Sequence, residues 1–200
     1  HVQSARPSHD RGHSERVDDE TTDELVSKSR EIVDSLRSIS CNGRKDDSIT
    51  LEWSPQVSER CSAYFFPQNI RRFLEYFWSL WYPHCPIVHK PLFHALSASS
   101  PLLCVMVIIG ACLSPGAQDT EAAREWLDCV EELIFSHECF RVEATAGQAT
   151  KTCMKEKLQC LQASYLVCSL QKREGSVEAQ ARIRRHRLAS MVAVRQTISR

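Results

Sequence analysis

The chain has 200 residues, 25 Lys plus Arg against 25 Asp plus Glu, and a hydrophobic content of 42%. A formal net charge of zero excludes a protein held on nucleic acid by a general positive excess, the source of counterion-release binding. The length fits one domain, or one domain with a tail. The longest apolar stretch, Leu102 to Leu113, falls short of the ~20 residues that cross a bilayer.

Residues 1–20 are polar and charged, carry no apolar signal-peptide core, and predict a disordered tail on a soluble intracellular protein, itself a fragment of something longer. A helix is then predicted to start at Thr21, where Glu24 three positions on completes a capping box. Leu25, Ile32, Leu36 and Ile39 give it a narrow apolar stripe. That stripe docks on its own domain or forms a coiled-coil seam of only about two heptads. Asn42-Gly43 ends the helix, and a short apolar stretch at Ile49, Leu51 and Trp53 precedes Pro55. Residues 21–60 thus form a linker helix and connector, and residues 61–200 the domain body.

Within that body, Asn69 to Trp81 sets Ile70, Phe73, Leu74, Phe77, Leu80 and Trp81 on one helix face. Pro101 to Leu113 opens on a proline where helices tolerate one and is apolar nearly all round, so it predicts a buried central helix. Asp119 or Thr120 caps the next, with Ala123, Trp126, Leu127, Val130, Leu133 and Ile134 inward and Glu121, Glu125, Asp128, Glu131 and Glu132 largely outside that stripe. Lys151 to Lys172 places Met154, Leu158, Leu161, Tyr165 and Cys168 on its stripe, and a last helix after Gly175 carries Ile183, Leu188, Met191 and Val194. Little alternates as a strand does, so the expected fold is an all-α array of amphipathic helices around one apolar helix.

Ten cysteines admit a disulfide framework or buried reduced thiols. Cys104, Cys112, Cys129, Cys160 and Cys168 lie among Leu, Val, Ile and Met on helical patterns, where a free thiol behaves as a small hydrophobe. Neighbouring cysteines stand seven positions apart at the closest, Cys153 and Cys160. Without a C-x-x-C, the usual structural zinc modules cannot be assembled.

The stretch WYPHCPIVHKPLFHA, residues 81–95, carries three histidines, a cysteine and three prolines. A metal site would require His84, Cys85, His89 and His94 to converge, but Pro83, Pro86 and Pro91 forbid a continuous helix and the spacing matches no closed zinc site. A nucleophile would require Cys85 to be activated by His84 or His89, and no oxyanion donor signature accompanies them. The favoured reading is a rigid corner between two helices, with Ile87, Val88, Leu92 and Phe93 packed beneath it.

From Asn69 to Pro115, NIRRFLEYFWSLWYPHCPIVHKPLFHALSASSPLLCVMVIIGACLSP resembles the opening of the fungal-specific transcription factor regulatory domain, the middle homology region. Pro86, Ile87, His89, Pro91 and Phe93 match the family's proline corner, and Gly110 with Ala111 match the end of its apolar helix. Pro83 and His84 stand in reversed order, Lys90 replaces the usual Arg, and Leu92 replaces Thr. LVSKSREIVDSL and ITLEWSP resemble the joining segment of the C2H2 zinc-finger subgroup, and three later helices continue the likeness to about residue 198.

The resemblance implies a regulatory, protein-interaction domain of a nuclear transcription factor acting on RNA polymerase II, without catalysis. DNA would be read through a zinc-finger module outside these residues. It implies no catalytic, cofactor or metal residues here, zinc only in the upstream module, and co-regulators or self-association as partners, with no membrane. The family domain is longer, so a truncated C-terminus is expected to leave Ile183, Leu188 and Met191 uncovered. A basic run, Arg182, Arg184, Arg185, His186 and Arg187, with Lys172, Arg173 and Arg195 nearby, is either a helix face paired with acids of residues 121–132 or a phosphate-binding or nuclear-import patch. Two other readings stay open: a helical scaffold unrelated to transcription, and a truncated gene copy without function.

Overall fold

The computed structural model describes residues 12–42, 52–140 and 154–198, with side chains described over 23–40, 52–140 and 154–196. The described residues form helices and contain no strand. In chain order these are α1 (Gly12–Asn42), α2 (Pro55–Tyr64), α3 (Pro67–Tyr76), α4 (Ser100–Cys112), α5 (Ala117–Phe135), α6 (Met154–Glu174), α7 (Val177–Arg182) and α8 (Leu188–Ile198). Four short 3₁₀ turns lie at Tyr82–His84, Lys90–Leu92, Ala95–Ser97 and Glu138–Phe140. Two π turns, Phe77–Trp81 and Ile183–Arg187, continue α3 and join α7 to α8.

α1 corrects the sequence reading at its start. It is helical from Gly12, so residues 12–20 are part of it and Thr21 does not cap it. Adding residues to an existing helix is far cheaper than nucleating one, and Glu15, Arg16 and Glu20 are good helix formers. Residues 1–11, Ile49 and Leu51 lie outside the described residues. Leu25, Ile32, Val33 and Leu36 are buried within the chain, which uses the stripe for docking. Ser29 Oγ donates to the Phe65 carbonyl at 2.6 Å and pins α1 to the α2–α3 junction.

α2, absent from the sequence reading, begins with proline at its first position and is capped by Ser54, whose Oγ accepts the Val57 amide at 3.2 Å. α3 begins the same way at Pro67 and buries Ile70, Phe73 and Leu74, with Phe77 and Trp81 buried in the π turn that follows. Leu80 was expected on that face but is 46% exposed. The π turn inserts a residue into the helical count and re-aims the positions around it.

α4 is buried at every position from Leu102 to Ala111 and is surrounded by α1, α3, α5 and α6. Each of its large apolar side chains contributes roughly 1.5–3 kcal/mol by leaving water. Gly110 is where α3 crosses. A Cβ there would lie 1.8 Å from the Phe73 carbonyl oxygen and 2.6 Å from its carbon, so only glycine admits this approach.

α5 begins at Ala117 rather than at a cap on Asp119 or Thr120. Asp119 sits in the first turn instead, accepting from Ser114 Oγ at 2.5 Å and pairing with Arg72 at 2.9 Å. A carboxylate there also meets the positive end of the helix dipole.

α6 departs most from expectation. Met154, Leu158 and Tyr165 are 57%, 50% and 47% exposed. Cys168 is buried as expected, and the buried face runs through Cys160, Ala163, Ser164, Leu166, Val167, Leu170 and Gln171. Leu166 and Leu170, at 0% and 2% exposure, are its large apolar side chains, so the face is rotated from the stripe read in the sequence. Ile183 and Val194 are buried, and Met191 packs on Cys168 at 3.7 Å between sulfurs, so α6 covers most of the face expected to stand open. Leu188 alone of that trio is exposed, at 47%.

Candidate functional site

The corner of residues 81–95 leaves the end of α3 through the π turn and crosses toward α4 in short 3₁₀ pieces. Val88 is its buried anchor, with Ile87 and Phe93 half-buried. Phe93 meets Trp78 edge to face at 5.2 Å, Trp78 meets Tyr82 at 5.1 Å, and Lys90 Nζ lies 5.5 Å from the Trp78 ring centroid. Such ring pairs add about 0.5–1.5 kcal/mol beyond their burial. Two amides of α6 clamp the backbone: Gln162 donates to the Ile87 carbonyl at 2.8 Å, and Gln159 accepts the Ser99 amide at 2.9 Å.

Leu92 departs from the packing expected of it. It is 76% exposed, at the end of the 3₁₀ turn Lys90–Leu92 that holds Pro91 at its centre. Pro86, His89 and Pro91 are exposed with it. The corner is therefore rigid beneath and presents proline, histidine and leucine above.

His84, His89 and His94 are all exposed, and these three do not converge with Cys85. Burial raises the Cys85 thiol, which is the reverse of an activated nucleophile. Beside the corner, Leu80, Trp81, His84, Cys85, Leu113 and Arg173 line a shallow open groove of about 250 Å³. Arg173 covers the Trp81 ring at 5.5 Å.

The basic run divides into two sets. Arg182 grips the fully buried Glu131 with both arms, Nε to Oε1 and Nη2 to Oε2 at 2.8 Å each, and also reaches Asp128 at 2.8 Å. Arg187 adds Nε to Glu131 Oε1 at 2.9 Å and Nη2 to Glu132 at 2.6 Å, over the Phe135 ring. Gln171 completes the cluster, donating to Asp128 at 2.7 Å and to Glu131 at 2.9 Å. Donating to the Glu131 carboxylate pushes the Arg182 guanidinium further up. Glu131, expected outside the apolar stripe, is 0% exposed. Arg184, Arg185 and His186 point to solvent.

The π turn makes this division. Arg182 and Arg187 are five apart and would diverge on an α-helix. The bond from the Leu188 amide to the Ile183 carbonyl widens one turn so that five residues bring the side chains back to the same side.

The described cysteines are all free. Cys61, Cys104, Cys129, Cys160 and Cys168 are buried and Cys112 half-buried. Burial pushes Cys61 and Cys168 up to about 12 and Cys112 and Cys129 up to about 11. A further group, His137, Cys139 and Cys160, has ligand atoms within 4.8 Å of one another. The sequence concealed it, since its cysteines are 21 positions apart on different elements.

A family described as fungal specific transcription factor domain matches residues 74–150. The chain is similar to transcription factor verF of Penicillium polonicum, 37% identical over 177 residues, which is 88% of this chain and 24% of that protein. The chain thus spans about a quarter of the length of that relative. No solved structure matches. Among the described residues no helix is long and apolar enough to cross a membrane.

Proposed function

We propose that the chain, whose residues 74–150 match a fungal specific transcription factor domain, is the non-enzymatic regulatory segment of a nuclear transcriptional regulator acting on RNA polymerase II. DNA is read by a zinc-finger module outside these 200 residues, of the C2H2 subgroup that the joining segment resembles. This segment controls the output of the whole protein by contact with co-regulators, with other parts of its own polypeptide or with a second copy.

The observation that supports this reading best is the corner. Its underside is fixed by Val88, by the Trp78–Phe93 pair and by the two glutamines of α6, while Pro86, His89, Pro91 and Leu92 are presented without cover. Leu92 is 76% exposed on that fixed turn and open to a partner. The raised Cys85 thiol and the exposed histidines supply no catalytic counterpart. Arg184 and Arg185 contribute a solvent-facing charge that serves nuclear import or phosphate contact.

The test inserts residues 1–200 between a heterologous zinc-finger module and an activation segment in a fungal reporter strain. Reporter output should change severalfold against a flexible linker of equal length, and Leu92→Asp should return it toward the linker value with the melting temperature unchanged. Output equal to the linker's, in both the parent and the variant, would overturn the proposal.

A further inference from the structure

We propose that His137, Cys139 and Cys160 form a binding site for a borderline-soft divalent cation of the zinc class, tying the exit of α5 to the first half of α6. His137 and Cys139 come from the turn after α5, where the Phe140 amide bonds the His137 carbonyl at 2.9 Å and Phe140 packs on Phe135 at 4.8 Å. Cys160 comes from the buried face of α6. The turn is therefore set by its own hydrogen bond and aromatic contact, so the three groups meet without a metal to gather them.

The donor set selects the ion. Two thiols and an imidazole favour zinc over magnesium or calcium, which take hard oxygen ligands. Zinc–sulfur bonds of ~2.3 Å and zinc–nitrogen bonds of ~2.0–2.1 Å put tetrahedral ligands somewhat closer than the 4.8 Å limit within which these atoms lie. Side-chain rotation closes that difference. The two sulfurs lie within 4.8 Å of each other. His137 Nδ1 accepts the Cys139 amide at 3.2 Å, and a turn of the ring must free that lone pair from the amide before it reaches the ion.

On binding, each thiol releases its proton to solvent and the neutral imidazole donates a lone pair. The ion then sits on two thiolates and one nitrogen, with water at the fourth position. Burial raises both thiols, and Lys157 and Glu156 are the charged groups nearest Cys139. A divalent charge reverses that preference for the protonated form, as metals do for coordinated thiols. Cys139 is half-buried, which gives the ion a route in.

The test titrates the reduced, chelator-washed 200-residue chain with Co2+ and follows the thiolate-to-cobalt charge-transfer and tetrahedral d–d absorption. One equivalent should saturate the signal, and Zn2+ should abolish it. Cys139→Ser and Cys160→Ser should each remove it while helicity by circular dichroism stays as in the parent. His137→Gln should weaken binding by more than the roughly 10–100-fold that loss of an outer-shell partner costs. One equivalent of Zn2+ should also slow alkylation of Cys139, identified by peptide mass. No cobalt signal, a signal as strong as the parent's in the Cys139→Ser or Cys160→Ser chain, or alkylation of Cys139 indifferent to Zn2+ would each overturn the site.

Discussion

Gly110→Ala tests the crossing of α3 and α4 with one methyl group. The added Cβ would stand 1.8 Å from the Phe73 carbonyl oxygen, 2.6 Å from its carbon and 3.1 Å from its Cα. All three atoms are backbone, so no side chain can swing aside and the two helices must part by more than 1 Å. Overpacking a close-packed core costs about 1–3 kcal/mol, and a backbone obstacle puts this substitution at the upper end. Alanine returns up to about 1 kcal/mol through its better helix propensity. The net loss is then about 2 kcal/mol, or a fall of roughly 4–8 °C in Tm for a chain of this size. Thermal unfolding followed by circular dichroism, with urea melts as a check on the slope m, reads it directly. Gly116→Ala is the control, because its Cβ would meet side-chain atoms rather than backbone, Asp119 Oδ2 at 3.0 Å and Ser114 Oγ at 3.7 Å. A Gly110→Ala chain melting at or above the parent temperature would refute the close crossing.

The ion cluster should behave as a buried one. Glu131→Gln leaves Arg182 and Arg187 short of a charge partner in a site where Glu131 is 0% exposed, and should cost about 3–5 kcal/mol in urea melts. Arg184→Gln combined with Arg185→Gln should stay within about 0.5 kcal/mol of the parent in the same melts, as solvent-facing substitutions do. Stability should fall as pH rises above 9. Burial holds Cys61 and Cys168 near 12 and Cys129 near 11 in the folded chain, so the unfolded chain ionises first and binds fewer protons. A Tm that holds flat from pH 9 to 11 would contradict those burials. Alkylation at neutral pH should reach Cys85 slowly and Cys61 and Cys104 only on denaturation; a fast-reacting Cys85 would revive the nucleophile reading.

How much of this was legible beforehand depended on what kind of signal each element carried. α4 was plain because an uninterrupted apolar run between Pro101 and Leu113 has no reading other than burial. The seat of α1 followed from Leu25, Ile32 and Leu36, but its beginning did not, since a polar extension leaves no periodic trace. α6 misled because large apolar residues stand on more than one of its sides, and the chain buries Leu166 and Leu170 while turning Leu158 and Tyr165 outward. The proline corner was legible as a corner, whereas the exposure of Leu92 depended on the turn Lys90–Leu92. The Glu131 cluster and the His137–Cys139–Cys160 group join residues far apart in the chain, and only the packing of α5, α6 and α7 brings them together.

The π turn at Ile183–Arg187 bears on how the chain tolerates length changes. Deleting one residue inside an ordinary helix swings everything beyond it by about 100°, which strips a packed face from its partner. Here one surplus residue is already stored as a widened turn. Loss of Arg184 or Arg185 would let the segment relax to regular α-helix, with Arg182 and Arg187 now four apart and still on one side facing Glu131. In a comparison of related chains, a single-residue gap at this point would fall in mid-helix rather than in a loop, and would mark two lengths of the same structure rather than an error of alignment.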